Sequence, residues 1–151
     1  MTPADTECYS CRSLSGVKRI TPGPTIYEGE HWVVEHAYPA GMLGWLVILL
    51  KRHAEALHDL TPEEFAELGP LLERTARALH SHLGSKKEYV ACYAEAEHFN
   101  HVHIHVVARA EEWPQEFKGP SSFRLLDENH IVPVAPAEMD AFCRAMQAYY
   151  R

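Results

Sequence analysis

Residues 101–107 read HVHIHVV, in which three histidines alternate with apolar residues. Successive side chains on a β-strand point to opposite faces, so this spacing predicts a strand with His101, His103 and His105 on one face and a buried apolar face behind them. Imidazole titrates near neutral pH and serves as a base, a nucleophile or a metal ligand. The stretch therefore predicts a functional strand. A solvated strand face is the alternative, and the strong β pattern around the histidines weighs against it.

The segments on either side of this stretch predict an α+β protein. Apolar alternation and turn residues predict strands at 26–28, 31–35, Trp45–Leu50, 88–94 and 101–109. Thr61, Pro62 and Glu64 predict a capped helix start, and Gly84 predicts its end. A second helix is predicted at 136–150. Because strands and helices do not alternate, we expect an antiparallel sheet of about five strands with a long capped helix and a C-terminal helix.

Composition predicts one soluble globular domain that spans residues 1–151. The chain has 46% apolar and 23% charged residues and a net charge of −7, which argues against a nucleic-acid partner. The longest apolar run, at 41–50, is too short to span a bilayer, and the N-terminus lacks the pattern of a signal peptide. We therefore expect a cytoplasmic protein without a membrane partner. Within the domain, 1–25 forms an N-terminal knuckle segment and 110–151 a C-terminal extension.

Four cysteines are present, and two of them form a CxxC motif at Cys8 and Cys11. In a reducing compartment this pair is more consistent with metal ligands or a redox pair than with a disulfide. A short CxxC knuckle lets both thiolates reach one zinc ion, but a closed tetrahedral site needs two more ligands. Zinc is favoured over a redox motif because thioredoxin-like CxxC motifs open a helix after a strand, and no such strand and helix are predicted around Cys8 and Cys11. Cys92 and Cys143 fall on apolar faces and are predicted to be core residues.

The HVHIHVV stretch resembles the signature of the histidine triad (HIT) superfamily of nucleotidyl hydrolases and transferases. The sequence GWLVILLKRH at 44–53, followed by LTPEE at 60–64, is similar to the strand, basic turn and capped helix of that family. The region 32–53 also resembles the galactose-1-phosphate uridylyltransferase branch. The resemblance covers roughly residues 5 to 110. It implies a HIT-like fold, a homodimer, and a small-molecule nucleotide as substrate.

The resemblance also implies residue roles. It makes the middle histidine, His103, the nucleophile, and places His105 to donate to a phosphate oxygen. The predicted catalytic set is His101, His103 and His105. In zinc-bearing members the basic-turn histidine and the first histidine of the triad complete the metal site. The implied ligands of a structural zinc are therefore Cys8, Cys11, His53 and His101.

This chain departs from the family pattern at three places. The loop before the triad reads EAEHFN at 95–100, and its His98 stands where the family has a serine or threonine that binds phosphate. His98 is predicted to replace that hydroxyl as a donor, with Asn100 and Arg109 as further substrate-binding residues; a solvated loop histidine is the alternative. Trp45 stands where the family strand begins with a histidine, and Leu50 replaces a proline.

These residues predict a nucleotide hydrolase or nucleotidyltransferase. It would act at the α-phosphate of a nucleoside phosphoramidate, a dinucleoside polyphosphate or a nucleotide sugar, through a covalent nucleotidyl-histidine. A non-catalytic nucleotide-binding or regulatory module is the main alternative. A third hypothesis takes the three histidines as a catalytic metal centre, which would retain its metal without the cysteines.

Overall fold

The computed structural model describes residues 6–151. The strands are β1 (Tyr27–Glu28), β2 (Trp32–His36), β3 (Trp45–Leu50), β4 (Lys87–Ala91) and β5 (His103–Arg109). These five strands form one antiparallel sheet in the order β1-β2-β3-β5-β4. The α-helices are α1 (Tyr9–Leu14), α2 (Pro62–Leu83) and α3 (Pro136–Gln147), and 3-10 turns lie at Leu57–Asp59, Gln115–Phe117, Gly119–Leu126 and Ala148–Tyr150. This architecture confirms the predicted α+β class, its five antiparallel strands and both helices.

The triad strand β5 begins at His103, two residues later than predicted. Just before it, the N–H of Val102 donates to the carbonyl of Ala54 at 2.8 Å, while the carbonyl of Val102 still accepts from the N–H of Leu50 on β3 at 3.2 Å. The chain therefore bends toward the basic turn at His53, and His101 lies outside the strand. The expectation that all three imidazoles share one strand face is wrong for His101.

Helix α2 begins with the predicted capping box. The Thr61 hydroxyl accepts from the N–H of Glu64 at 3.2 Å, and the Glu64 carboxylate accepts from the N–H of Thr61 at 2.8 Å. Arg52 donates to both oxygens of the same carboxylate, at 2.6 and 2.9 Å. These hydrogen bonds, with that of Arg52 the largest cause, lower the pKa of Glu64. The basic turn is thereby fixed to the start of α2, which positions the neighbouring His53.

The two faces of the sheet have different coverings. One face packs against α2 and α3 and forms the main core, which includes Leu46, Ile48, Ile104, Val106, Leu79, Met139 and Met146. On the other face a smaller apolar cluster forms around Trp45, Val107 and Leu125. The 3-10 turn Gly119–Leu126, which we call the covering segment, packs on this second face. Because side chains alternate along β5, His103 and His105 lie on the second face.

The N-terminal segment is more regular than predicted. A knuckle segment without a helix was predicted over 1–25, but Cys8 is the N-cap of helix α1, and its Sγ accepts from the N–H of Cys11 at 3.4 Å. Residues 1–5 of the predicted knuckle segment lie outside the described residues. In the part of the chain that the structure describes, no helix has both the length and the apolar character needed to cross a bilayer.

Candidate functional site

His103 and His105 project into a cavity of about 400 Å³ on the second face of the sheet. On β3, Leu49 pairs with His103 and Val47 pairs with His105, and both apolar residues form the floor of this cavity. The two imidazole rings are 4.7 Å apart between centroids and nearly perpendicular. The walls come from other segments: Ser10, Ile20, Thr21, Glu35, His36, Ala37, Tyr38, Pro39, Ala96, Phe99, Phe123 and Leu126.

The tautomer of His103 is set by the backbone. Its Nδ1 lies 2.6 Å from the carbonyl oxygen of His101. A carbonyl oxygen only accepts hydrogen bonds, so Nδ1 carries the proton and Nε2 keeps a free lone pair. Burial lowers the pKa of His103, which favours the neutral ring. The geometry therefore presents an unprotonated ring nitrogen at Nε2.

His105 has the opposite tautomer. The indole Nε1–H of Trp45 donates to Nδ1 of His105 at 3.0 Å, so Nδ1 accepts and the proton of a neutral ring lies on Nε2. Burial, and secondly charge on His103, lower the pKa of His105 to about 3. The ring is thus a neutral hydrogen-bond donor over the ordinary pH range. Side by side, His103 offers a lone pair and His105 offers an N–H.

His101 belongs to a different constellation, formed with Cys8, Cys11 and His53. The His101 Nδ1 lies 3.4 Å from the Sγ of Cys8 and 3.4 Å from the Sγ of Cys11. The His53 Nδ1 lies 3.3 Å from the Sγ of Cys11. All four potential ligand atoms lie within 4.8 Å of one another. The structure thus brings together the four residues predicted to hold the metal.

This cluster fits a tetrahedral zinc ion. Two thiolates and two imidazole nitrogens are a common donor set for structural zinc, and three of the four residues are buried. Each histidine directs Nδ1 into the cluster and has a partner for its other nitrogen. Nε2 of His101 donates to the carbonyl of Leu50 at 2.7 Å, and Nε2 of His53 lies 3.3 Å from the carboxylate of Glu55. Such outer partners orient ligating histidines.

The same geometry bears on the hypothesis of a three-histidine metal centre. Within residues 6–151, the Cys8, Cys11, His53 and His101 cluster is the only group of three or more potential ligands within bonding reach of one ion. His103 and His105 are outside it. The structure therefore offers no metal centre made from the three histidines within the described chain.

The predicted substrate-binding residues lie in the loop before the triad and at the far end of β5. His98 has φ +65°, its ring stacks on Tyr9 at 4.6 Å, and it is not among the residues that line the cavity within the described chain. Asn100 is exposed in the same loop. Arg109 ends β5, six residues from His103 or about 20 Å along the strand, and donates to the carbonyls of Ala110 and Glu111. Their predicted roles stay predictions, and none of the three is among the described residues that line the cavity of His103.

Three residues of the site were missed by the sequence analysis: Phe123 and Glu35, which line the cavity, and Trp45, which contacts His105. Trp45 was noted only as a departure from the family pattern, although that departure marks the residue that hydrogen-bonds His105. Phe123 comes from the covering segment, where the sequence pattern is weak, and its ring contacts those of Trp45 and His105. Glu35 is buried in β2, and its carboxylate accepts from Arg19 and from Thr25, both at 2.9 Å. Alternation along β2 was the only sequence signal for Glu35.

The family model described as "HIT domain" matches residues 19–112 of this chain. The match covers more than half of the sequence and contains both the basic turn and the triad. The chain belongs to the HIT family. A search of curated proteins found no match.

Solved structures confirm the HIT-like fold. A zinc-bound histidine triad family protein from Mycobacterium smegmatis is 24% identical, with a TM-score of 0.69, and the match covers 97% of this chain and 96% of that one. A HIT-like protein from Bartonella henselae, described as involved in cell-cycle regulation, is 14% identical, with a TM-score of 0.68 and coverage of 94% and 95%. A histidine triad protein from Bradyrhizobium japonicum is 22% identical, with a TM-score of 0.67 and coverage of 89% and 94%.

Proposed function

We propose that this protein is a nucleotidyl hydrolase or transferase that acts at the α-phosphate of a nucleotide through a covalent intermediate on His103. The observation that carries the proposal is the pair of complementary tautomers in one cavity. His103 offers a lone pair at Nε2, and His105 offers an N–H close to it. A nucleophile beside a fixed donor is the arrangement that transfer at phosphorus requires.

In the first step, Nε2 of His103 attacks the α-phosphorus and forms a P–N bond. The bond from phosphorus to the leaving group breaks, and the leaving group takes the electron pair; an amine leaving group takes up a proton from water. His105 donates to a phosphate oxygen, whose negative charge grows in the transition state. The carbonyl of His101 holds the Nδ1 proton and stabilises the cationic imidazole of the intermediate.

In the second step, water or another acceptor attacks the same phosphorus. The P–N bond breaks, its electron pair returns to Nε2 of His103, and the acceptor's proton passes to solvent. With water the product is a nucleoside monophosphate. The apolar floor of Val47 and Leu49 and the ring of Phe123 suit a base or a sugar face better than a charged group.

The Cys8, Cys11, His53 and His101 cluster has a structural role in this proposal. A zinc ion bound there would tie helix α1 and the basic turn to the residue before the nucleophile. His101 would then act through its carbonyl, which orients His103, and its predicted place in the catalytic set rests on that contact alone. The M. smegmatis protein that resembles this chain is zinc-bound, which supports the assignment.

A non-catalytic nucleotide-binding module is the second candidate function. The observation that favours it is the loop before the triad, where His98 replaces the phosphate-binding hydroxyl and stacks on Tyr9 instead of lining the cavity. A module of this kind would bind AMP or GMP in the cavity without turning over any substrate.

The homodimer implied by the resemblance also stays a prediction, which light scattering of the purified protein tests.

Turnover of a fluorogenic adenosine 5′-phosphoramidate distinguishes the two functions. We expect the zinc-loaded protein to release AMP and the His103→Ala variant to lose at least 1,000-fold in kcat, since removal of a covalent nucleophile has effects of this order. A His58→Ala variant is the matched control, because His58 is an exposed histidine outside the cavity. Equal activity in the His103→Ala variant would overturn the proposal, and AMP binding without turnover by the unmodified protein would establish the binding module.

A further inference from the structure

A second groove adjoins the catalytic cavity and is lined by three cations. This groove of about 240 Å³, which we call the basic groove, holds the side chains of Arg12, Lys18 and Arg19. Its remaining lining residues are Tyr9, Ile20, Tyr38, Pro39 and Phe99. The last four of these also line the cavity that holds His103. The basic groove is therefore a lateral extension of the catalytic cavity.

The charge of the basic groove contrasts with that of the chain. The protein has a net charge of −7, yet among residues 6–151 no carboxylate lines the groove. Arg19 is neutralised in part, because it pairs with Glu35 at 2.9 Å and donates to the carbonyl of Gly23. Between residues 6 and 151, no carboxylate pairs with Arg12 or Lys18. Two unneutralised cations thus lie beside the catalytic cavity of an acidic protein.

The main chain that carries these two cations is fixed by hydrogen bonds around the CxxC motif. The N–H of Lys18 donates to the carbonyl of Arg12 at 3.1 Å, and the N–H of Tyr9 donates to the carbonyl of His98 at 2.8 Å. The guanidinium of Arg12 also lies over the Tyr9 ring, 5.9 Å from its centroid. The main chain of this wall is therefore ordered, and the Arg12 guanidinium rests on the Tyr9 ring, whereas the Lys18 side chain is exposed. Arg12 is thus partly pre-positioned for an anionic group, which reduces the side-chain freedom lost on binding.

The loop before the triad makes a separate source of positive charge necessary. Residues 95–100 contain two glutamates and no serine or threonine, so this loop offers no hydroxyl donor to a phosphate chain. Phosphoryl transfer with a phosphate leaving group needs compensation for the charge that develops on the departing oxygens. The basic groove, which shares four lining residues with the cavity, supplies such cations.

We propose that the basic groove binds the leaving group of the substrate, and that this leaving group carries phosphate charge. The substrate class is then a nucleotide whose α-phosphate is joined to one or more further phosphates. With the α-phosphorus at His103, the phosphate chain runs past Tyr38 and Phe99 toward Arg12 and Lys18. This assignment rests on the proposed function, and it selects among the leaving groups that function allows.

The test compares two substrates that share the adenosine α-phosphate. The first is the fluorogenic adenosine 5′-phosphoramidate, whose leaving amine is uncharged, and the second is diadenosine triphosphate, whose leaving group is ADP. The variant Arg12→Ala/Lys18→Ala is expected to lower the ratio of kcat/KM for diadenosine triphosphate to kcat/KM for the phosphoramidate by about tenfold, as two partly exposed charge contacts imply. The matched control is Arg77→Ala/Lys87→Ala, which also removes one arginine and one lysine but outside the groove; its ratio should stay at the unmodified value.

Binding measurements separate failure of this assignment from failure of the proposed function. In proteins that carry His103→Ala, and that therefore do not turn over substrate, calorimetry measures the affinity for ATP and for AMP. Arg12→Ala/Lys18→Ala should weaken the binding of ATP about tenfold more than the binding of AMP, and added salt should reduce that difference. The assignment would be overturned if Arg12→Ala/Lys18→Ala lowered kcat/KM equally for both substrates and affinity equally for ATP and AMP, or if it lowered none of them. Absence of turnover with selective weakening of ATP would overturn the catalytic proposal alone.

Discussion

The indole N–H of Trp45 donates to Nδ1 of His105 at 3.0 Å, and this buried contact decides which nitrogen of His105 faces the cavity with a proton. Both residues lie on the second face of the sheet, on the adjacent strands β3 and β5. The ring of Phe123 contacts both of them edge to face, with centroids 5.0 and 4.9 Å away. Trp45 is therefore a positioning residue, which acts on substrate only through His105.

The variant Trp45→Phe should lower kcat toward the phosphoramidate by about fivefold to tenfold with little change in KM, because one hydrogen bond of about 1 kcal/mol no longer fixes the His105 tautomer. Nitrogen NMR of the histidine side chains provides the readout specific to positioning. In the unmodified protein, the proton of His105 should be found on Nε2, whereas in the variant both tautomers should be populated.

Trp32→Phe is the matched control for this prediction. Trp32 is also a fully buried tryptophan, and its indole N–H donates to the carbonyl of Glu64 at 2.9 Å, remote from the cavity. Loss of this hydrogen bond should lower the free energy of unfolding about as much as Trp45→Phe does, and it should leave kcat unchanged. If both variants lost kcat equally, or if the His105 tautomer did not respond to Trp45→Phe, the effect would be one of general stability.

We expect one zinc ion per chain, lost in the variant Cys8→Ser/Cys11→Ser. Serine does not supply the thiolate that zinc prefers, and a structural site in which two of four ligands are missing binds far more weakly. Metal analysis after dialysis against a weak chelator provides the stoichiometry, and thermal unfolding with and without chelator measures the contribution of the ion to stability.

Cys92→Ser/Cys143→Ala serves as the control, because it removes the two cysteines that lie outside the metal cluster. This control should keep its zinc. Retention of a full equivalent of zinc by Cys8→Ser/Cys11→Ser would contradict the Cys2His2 assignment and revive a centre formed by the histidines alone.

The elements that the sequence predicted most closely are those specified by local chemistry. Strand Trp45–Leu50 has the predicted bounds, and α2 begins at the predicted capping box and ends at Leu83, with Gly84 as its C-cap at a φ of +66° that suits a residue without a side chain. Alternation also identified the triad strand, but not its first residue. The bend before His103 depends on a hydrogen bond to Ala54, which is distant in sequence, so no local pattern contained it.

The metal cluster was predictable only through the family resemblance, since CxxC alone left two ligands open. The residues of the cavity walls were harder still to predict from the sequence. Phe123 reaches His105 because the covering segment folds back across the sheet, and a segment without periodicity gives no indication of where it packs. The predicted function of His98 followed its alignment with a hydroxyl residue, whereas its stacking on Tyr9 depends on helix α1, which the sequence analysis did not predict.

Removal of the Phe123 ring should weaken nucleotide binding more than it slows chemistry. Phe123 lines the cavity and packs on Trp45 and His105, so Phe123→Ala opens the wall and exposes His105 to water. We expect KM to rise about fivefold, in line with roughly 1 kcal/mol for loss of aromatic contact, and kcat to fall less. Phe117→Ala is the comparison, since Phe117 belongs to the same apolar cluster but does not line the cavity. Equal KM values in the two variants would count against this role.

Stability should fall as the pH is lowered from 6.5 to 4, in part because of His36. Its Nδ1–H donates to the carbonyl of Ala37 at 2.7 Å, and its Nε2 accepts from the N–H of Gly44 at 3.0 Å, so the buried ring is neutral. Burial lowers its pKa from 6.5 to about 4. Between these values the unfolded chain binds more protons than the folded one, so stability is fully present above pH 6.5 and is lost on acidification. At pH 5 the loss from this residue is about 2 kcal/mol.

The variant His36→Gln isolates this contribution, because glutamine keeps a donor and an acceptor but does not titrate in this range. Urea unfolding at pH 7.5 and at pH 5.0, with zinc in excess, provides the free energy of unfolding of both proteins. Protonation of the zinc ligands and of His105 affects the two proteins alike, so it cancels in the comparison. The unmodified protein should lose about 2 kcal/mol more than the variant between the two pH values. The same loss in both proteins would show that the pH dependence arises elsewhere, and a larger loss in the variant would mean that His36 is protonated in the folded state.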